Sequence, residues 1–295
     1  MNLVLTVVHG MEYERMAPFF ESFVAFADAN TKMHVFTCGV SRETVAKIES
    51  MGVVTHPFRY LSFRHRQPLL YLWPIWKPMM ARRDFEGKCA LGRKIFHLFA
   101  MRFIMYRDLL LQHPGEFENV LLTDCRDVFF QRDPFADRLG PGVHCFLEAR
   151  TQIVGTCPSN RKMVEYTFGP EVIEEMARDR VSCAGTTMGD VTSIMGYLKA
   201  FVETISSGRK LYSVSDQGTH NYMIHYKRVP SLIVHDNYNS SVFTAGCEPE
   251  ESIRWNERNE IIRDDGQSYP VLHQYDRFSS AREKLAVKLR AAARA

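Results

Sequence analysis

From residue 3 to residue 123 the chain switches repeatedly between two hydrophobic periods, and that switching restricts its fold more than any other feature. The run "LVLTVV" (3–8) is β-branched, and Met16, Phe19, Phe20 and Phe23 then recur at helical spacing. Pro18 fits the first turn of that helix, where its missing N–H does no harm. Val35 and Phe36 mark a second strand, and "SRETVAKIESMG" a second helix, capped by Ser41 and closed by Gly52. A longer helix is expected over 93–112, and a strand over Asn119–Thr123. Strands and helices in this order argue for an α/β fold, a mostly parallel central sheet flanked by helices. In such sheets ligands bind beyond the carboxyl ends of the strands.

The second half is less regular. Strands are expected over 143–148, 181–188 and 229–234. A helix should start at Asp190, with Val191, Ile194, Leu198, Phe201, Val202 and Ile205 on one face. A shorter helix should start near Ser215, where Ser213 and Asp216 have capping-box spacing. With no repeat, linker or low-complexity tract, the chain reads as a single Rossmann-like domain over 1–280 and a basic tail over 281–295.

Composition excludes several classes. Of 295 residues, 45% are hydrophobic and 24% charged, as in ordinary globular proteins. A net charge of +3 does not by itself point to nucleic acid, and no basic helical stripe or RNP-type aromatic pair is present. The 7 cysteines are scattered without a CxxC pair, which suits reduced thiols better than a disulfide framework or a zinc site. The N-terminus lacks the basic and cleavage-site features of a signal peptide, so a cytoplasmic location is expected.

No apolar stretch approaches the roughly 18 residues of a spanning helix. The nearest, "PLLYLWPIWKPMM" (68–80), is interrupted by Pro74, Lys77 and Pro78. It reads either as an irregular aromatic segment packed on the core or as a membrane- or acceptor-facing loop, since Trp73, Trp76, Arg82 and Arg83 suit an interface. In the tail, Arg282, Lys284, Lys288, Arg290 and Arg294 outnumber Glu283, and Leu285 and Leu289 lie a turn apart. That is either a solvated helix or one suited to peripheral contact with the inner, anionic face of a membrane.

Chemistry concentrates in "VLLTDCRDVFFQRDPF" (120–135), where Asp124 and Asp127 follow an apolar strand. A phosphatase-type nucleophile would call for Asp-x-Asp on the first strand, and here the spacing is Asp-x-x-Asp on a later one. The remaining readings are turn carboxylates paired with Arg126 or Arg132, and a clamp holding a divalent ion against a diphosphate. On the expected long helix, Arg102 occupies a core-facing slot between Leu98 and Tyr106, where a guanidinium needs an anionic partner. A phosphate or a core carboxylate would serve.

This stretch resembles the metal-binding region of GT-A glycosyltransferases, especially the retaining, family 8-like nucleotide-sugar enzymes. They carry Asp-x-Asp followed by an Asp-Pro turn, as at Asp133-Pro134. Aligned on that turn, Asp127 falls on the second aspartate and Cys125 on the first, with Asp124 shifted by one. "CAGTTMGD" (183–190) is similar to the segment lining the sugar pocket, and there Gly185 and Thr186 would meet the donor. "SDQGTHN" (215–221) is similar to the Asp-Gln motif facing the sugar, giving Asp216 and Gln217. "VLHQYDRF" supplies the late histidine, His273.

The resemblance implies a metal site of Asp127, His273 and Asp124 for Mn²⁺ or Mg²⁺, a UDP-sugar donor and a glycan or lipid-linked glycan acceptor. It also implies retention of configuration, with Arg102 and Asp124 at the donor. His9 and Tyr13 are expected at the base, from their position after the first strand. The displaced first aspartate leaves a second reading open, a GT-A-like module that binds a nucleotide-sugar without turnover.

Overall fold

In the computed structural model, which describes residues 1–60, 68–212 and 214–294, the β-branched N-terminal run lies inside the sheet, flanked by a strand on each side. Strands β1 (Asn2–His9), β2 (Thr31–Cys38), β3 (Val54–Pro57) and β4 (Asn119–Thr123) are interspersed with helices α1 (Ala17–Phe26), α2 (Arg42–Glu49), α3 (Trp73–Ala81), α4 (Phe85–Ile95) and α5 (Leu98–Gln112). Next come β5 (Val128–Phe130), β6 (Val143–Leu147), α6 (Pro158–Phe168), α7 (Pro170–Met176), β7 (Ser182–Asp190), α8 (Val191–Ser206) and α9 (Ser215–His225). The described chain ends with β8 (Leu232–His235), β9 (Val242–Thr244), β10 (Val271–His273) and α10 (Ser279–Ala292).

The large sheet has the order β3-β2-β1-β4-β7-β6-β8. Its pairings are parallel except on the two sides of β7. The α/β class expected from the alternating periods therefore holds. A second, three-stranded sheet runs β5-β10-β9.

Local chemistry explains the elements that matter for the site. Ser41 accepts from the Thr44 amide and starts α2, and Asp190 does the same for α8 through Ser193. α8 packs on α5, with Phe103 stacked on Phe201 at 3.7 Å between ring centroids. The long helix expected over 93–112 is two helices. The chain is extended at Phe96, and His97 caps α5 through Phe99. The break lets α4 fold back on α5, with Gly92 so close to Phe96 and Ile104 that a Cβ would lie 2.8 Å from each.

The strand expected over 229–234 begins only at Leu232, after Ser231 turns the backbone to a φ of 53°. Segment 68–80 is neither irregular nor a loop. It is a short 3-10 turn followed by α3, with Pro78 inside the helix. The expected tail is α10, docked through fully buried Ala281 and Leu285. Ser213 of the expected capping box, and Ala295 at the end of the tail, lie outside the described residues.

Buried histidines give the fold a pH dependence. His220 sits between Ser182 Oγ and Tyr197 OH, and burial lowers its pKa to about 3. His34, beside His56, is lowered to about 4, first by burial and then by its histidine neighbours. Both are held neutral in the folded chain but take up protons near pH 6.5 when unfolded. Their contribution to stability is therefore full above pH 6.5 and is lost as pH falls toward 4 for His34 and toward 3 for His220. At pH 5 the loss should reach about 2 kcal/mol for His220 alone. Urea unfolding of wild type and of His220→Gln at pH 7 and pH 5 checks this, and an equal change with pH in both would refute it.

Candidate metal and donor site

A cavity of about 830 Å³ opens beyond the carboxyl ends of β1 and β4. His9, Arg102, Asp124, Gly185, Asp216 and His273 line it, from six different elements or their ends. The α/β rule for ligand position is thus met.

His273 reaches the aspartates through strand register. β10 pairs antiparallel with β5, which sets His273 opposite Val128, the residue after Asp127. Gln274 N donates to the Asp127 carbonyl at 2.7 Å and fixes the crossing. His273 Nε2 then lies 3.8 Å from Asp127 Oδ1 and 4.0 Å from Asp124 Oδ2. One ligand atom from each of Asp124, Asp127 and His273 lies within 4.8 Å of the others. Ligand atoms ~2.1 Å from one ion would stand about 3–4 Å apart, so the separations suit a shared cation.

His273 itself argues for that use. It is 1% exposed, and neither ring nitrogen has a hydrogen-bond partner among the described residues. Leaving such a group unsatisfied costs about 1–3 kcal/mol. Two carboxylates and an imidazole, with those nitrogens free of hydrogen bonds, fit a divalent cation.

The shift of the first aspartate has a structural account. Cys125, the residue that the aligned Asp-Pro turn puts in the first-aspartate position, directs its thiol to the Val7 carbonyl at 3.6 Å. Asp124 enters the cavity instead, tied to β7 by its amide, which donates to the Gly185 carbonyl. Gly185 is required there. A Cβ on it would lie 2.7 Å from Asp124 Oδ2 and 2.8 Å from His273 Nε2. Its backbone thus approaches the aspartate and the histidine, a closer constraint than the sugar contact expected of it. Gly185→Ala is expected to lower Mn²⁺ affinity by about 10–100-fold by displacing both side chains. Isothermal titration of the folded variant checks this, and wild-type affinity would remove the constraint.

Arg102 is buried and bridges two carboxylates. It pairs with Asp124 and donates to Asp216 Oδ2 at 3.2 Å. Burial works against the Asp124 charge, although 38% of its side chain is accessible through the cavity. Arg102 and His273 outweigh that effect and hold the carboxyl below its ordinary value. For Asp216 the balance reverses. Burial dominates and lifts it to about 6, despite Arg102. Gln217 lines the cavity, but its amide is committed to β7, accepting from Ala184 N and donating to the Ser182 carbonyl and Asn160.

Other expected donor contacts separate. His9 lines the cavity, edge-on to Tyr60. Tyr13 does not line it. Its ring is buried in the cluster under α1, with its hydroxyl on Glu21 and Lys47 over its face. Thr186 is fully buried in β7 and is also not part of the lining.

The structure adds residues that the sequence analysis missed. Tyr60 accepts from the Leu98 amide at the His9 end. Glu148 lies at the other end, 6% exposed, and burial raises its carboxyl above the ordinary range against His273 and Arg277. A signal for Glu148 existed, since it closes the strand expected over 143–148, as Asp124 follows β4. Tyr60 lies in an irregular stretch with no such signal.

No family model matches the chain, and neither does any curated protein. The structure resembles the crystal structure of the galactosyltransferase LgtC in complex with donor and acceptor sugar analogs. The TM-score is 0.49 and the identity 12%, over 99% of this chain and 96% of that one. Likeness at that level carries no functional inference, so function rests on this chain's own residues.

Proposed function

We propose that the chain is a metal-dependent glycosyltransferase that moves a sugar from a nucleotide-diphosphate donor, a UDP-sugar first, to an acceptor hydroxyl. A glycan or lipid-linked glycan is the proposed acceptor, and the configuration is retained. One observation carries this reading. An orphaned buried histidine and two aspartates from distant segments meet in a large cavity at the carboxyl edge of the sheet.

Asp127, His273 and Asp124 would hold Mn²⁺ or Mg²⁺, whose chemistry is to neutralise charge on the departing diphosphate. Arg102 adds a fixed positive charge to the same wall and favours an anionic donor. Tyr60 and His9 offer ring faces and edges at one end, suited to a base. Asp216 would face the sugar as its anomeric carbon gains positive character, with Gln217 holding β7 in place beside it. Glu148 and Arg277 give the other end polar groups for an acceptor.

The test is thermal stabilisation by UDP-, GDP- and CMP-sugars, with Mn²⁺ and with chelator, followed by assay for donor hydrolysis. A ligand at a hundredfold its Kd stabilises by about 2.7 kcal/mol. UDP-sugars are expected to stabilise only with metal present. Stabilisation by none of the panel, or equally in chelator, would end the proposal.

One observation favours the non-catalytic module as a second reading: Asp124 is already bound to Arg102. That reading predicts metal-dependent stabilisation with neither hydrolysis nor transfer.

A further inference from the structure

Helix α3 is apolar on both of its sides, and the fold uses only one of them. Trp73 and Met80 are buried, and the Trp73 indole donates to the Gly208 carbonyl at 3.1 Å. Trp76 donates to the Leu69 carbonyl at 3.0 Å. These anchors set the rotation of the helix. Leu72, Ile75 and Met79 are then left 43%, 58% and 37% exposed, continuing from Tyr71 at 69%. A helix that is apolar all round needs an apolar environment on each side, and the core provides one.

Charge selects the other. Between residues 68 and 83 the only charged side chains are Lys77, Arg82 and Arg83, and the acids that follow are engaged, Asp84 by the Gly87 amide and Glu86 by Arg107. Arg82 and Arg83 are exposed. Aliphatic and aromatic side chains bordered by cations fit the boundary between acyl chains and anionic headgroups. A second copy placed on the same face would bring like charges together. We propose that α3 and the turn before it dock the chain on an anionic lipid surface. Leu72, Ile75 and Met79 enter the acyl boundary, and Arg82 and Arg83, exposed at the end of the helix, meet headgroup phosphates.

This is contact without spanning, because no helix among the described residues is long and apolar enough to cross a membrane. It also differs from contact through α10. There Ala281 and Leu285 are buried, Lys288 pairs with Glu260, and Lys284 lies over Trp255. The placement has a consequence for the cavity. Trp73 packs on Phe96 at 6.4 Å, and the chain continues from there to Leu98 and Phe99 in the cavity lining. Docking through α3 would bring that end of the cavity near the lipid.

The experiment is sedimentation of the full chain with vesicles of phosphatidylcholine alone and of phosphatidylcholine mixed with phosphatidylglycerol. It requires neither donor nor activity. Binding is expected to the mixed vesicles and to fall with salt. Ile75→Ser with Met79→Ser should cut it at least tenfold, the effect of withdrawing a buried aliphatic side chain. Arg82→Ser and Arg83→Ser should each cut it by about fivefold. The residues changed are exposed, so the variants should melt as wild type does. Lys284→Ser with Arg290→Ser should leave binding intact. The proposal is overturned if wild type ignores mixed vesicles, if Ile75→Ser/Met79→Ser binds like wild type, or if only the α10 variant loses binding. It is also overturned if wild type dimerises without lipid and Ile75→Ser makes it monomeric.

Discussion

In a Mn²⁺ titration with UDP present, Asp127→Ala and His273→Ala are each expected to weaken binding by at least about 10–100-fold. The double variant should lose little more than the worse single one. Residues that ligate one ion act on a shared centre, so their losses do not add. Register puts His273 opposite Val128, beside Asp127, and the 3.8 Å separation between their ligand atoms follows from that pairing. A control in chelator separates this from unfolding. Neither His273 nitrogen has a hydrogen-bond partner among the described residues, so removing the ring takes away no hydrogen bond. The buried ring leaves a cavity, so the metal-free variant should melt below wild type, and the titration is run at a temperature where the variant in chelator is still folded. Wild-type affinity in His273→Ala would leave the clamp to carboxylates alone, and additive losses would mean two separate sites.

What the sequence revealed and what it concealed differ by the range of the interaction. The elements from β1 to α2 were legible because period, Pro18, Ser41 and Gly52 all act within a turn or two of their own positions. The division at Phe96 and His97 was not, since both flanking segments are helical by period. What separates them is the packing of Phe96 against Gly92 and Trp73. Tyr13 was placed at the base by its distance along the chain from β1, but the 3-10 turn at Tyr13–Arg15 rotates its ring into the core. The aspartates were legible as charges closing an apolar strand, but His273 came through the resemblance, because no local signal ties residue 273 to residue 127. Arg102 was recognisable as a charge in an apolar stripe. That it would join two carboxylates, one from the end of β4 and one from α9, needed the fold.

Those two carboxylates define the second large effect, Arg102→Met. With a donor phosphate as its only partner, the change would spare stability and weaken donor binding alone. The bridge between Asp124 and Asp216 predicts loss of both. Arg102 and Asp216 are 8% and 9% accessible, and removing the guanidinium leaves Asp216 charged and buried without its counterion. Breaking such a pair costs about 3–5 kcal/mol. The cost should depend on pH in a defined direction. Asp216, raised to about 6, favours the folded state below its unfolded pKa, and that benefit is lost as pH rises through 6. Asp124 is held low by Arg102, and its contribution is present above its unfolded pKa and lost on acidification. Without Arg102 both carboxyls move up, so the deficit against wild type should grow from about pH 4 to neutrality and shrink in acid. Asp216→Asn added to Arg102→Met should restore much of the stability, because it removes the stranded charge. It should not restore nucleotide-sugar binding, if Arg102 also meets the diphosphate. Urea unfolding across pH, and donor titration of the rescued double variant against Asp216→Asn alone, test the two roles separately. A stable Arg102→Met would deny the bridge its structural role, and normal donor affinity in the rescued variant would remove Arg102 from the donor site.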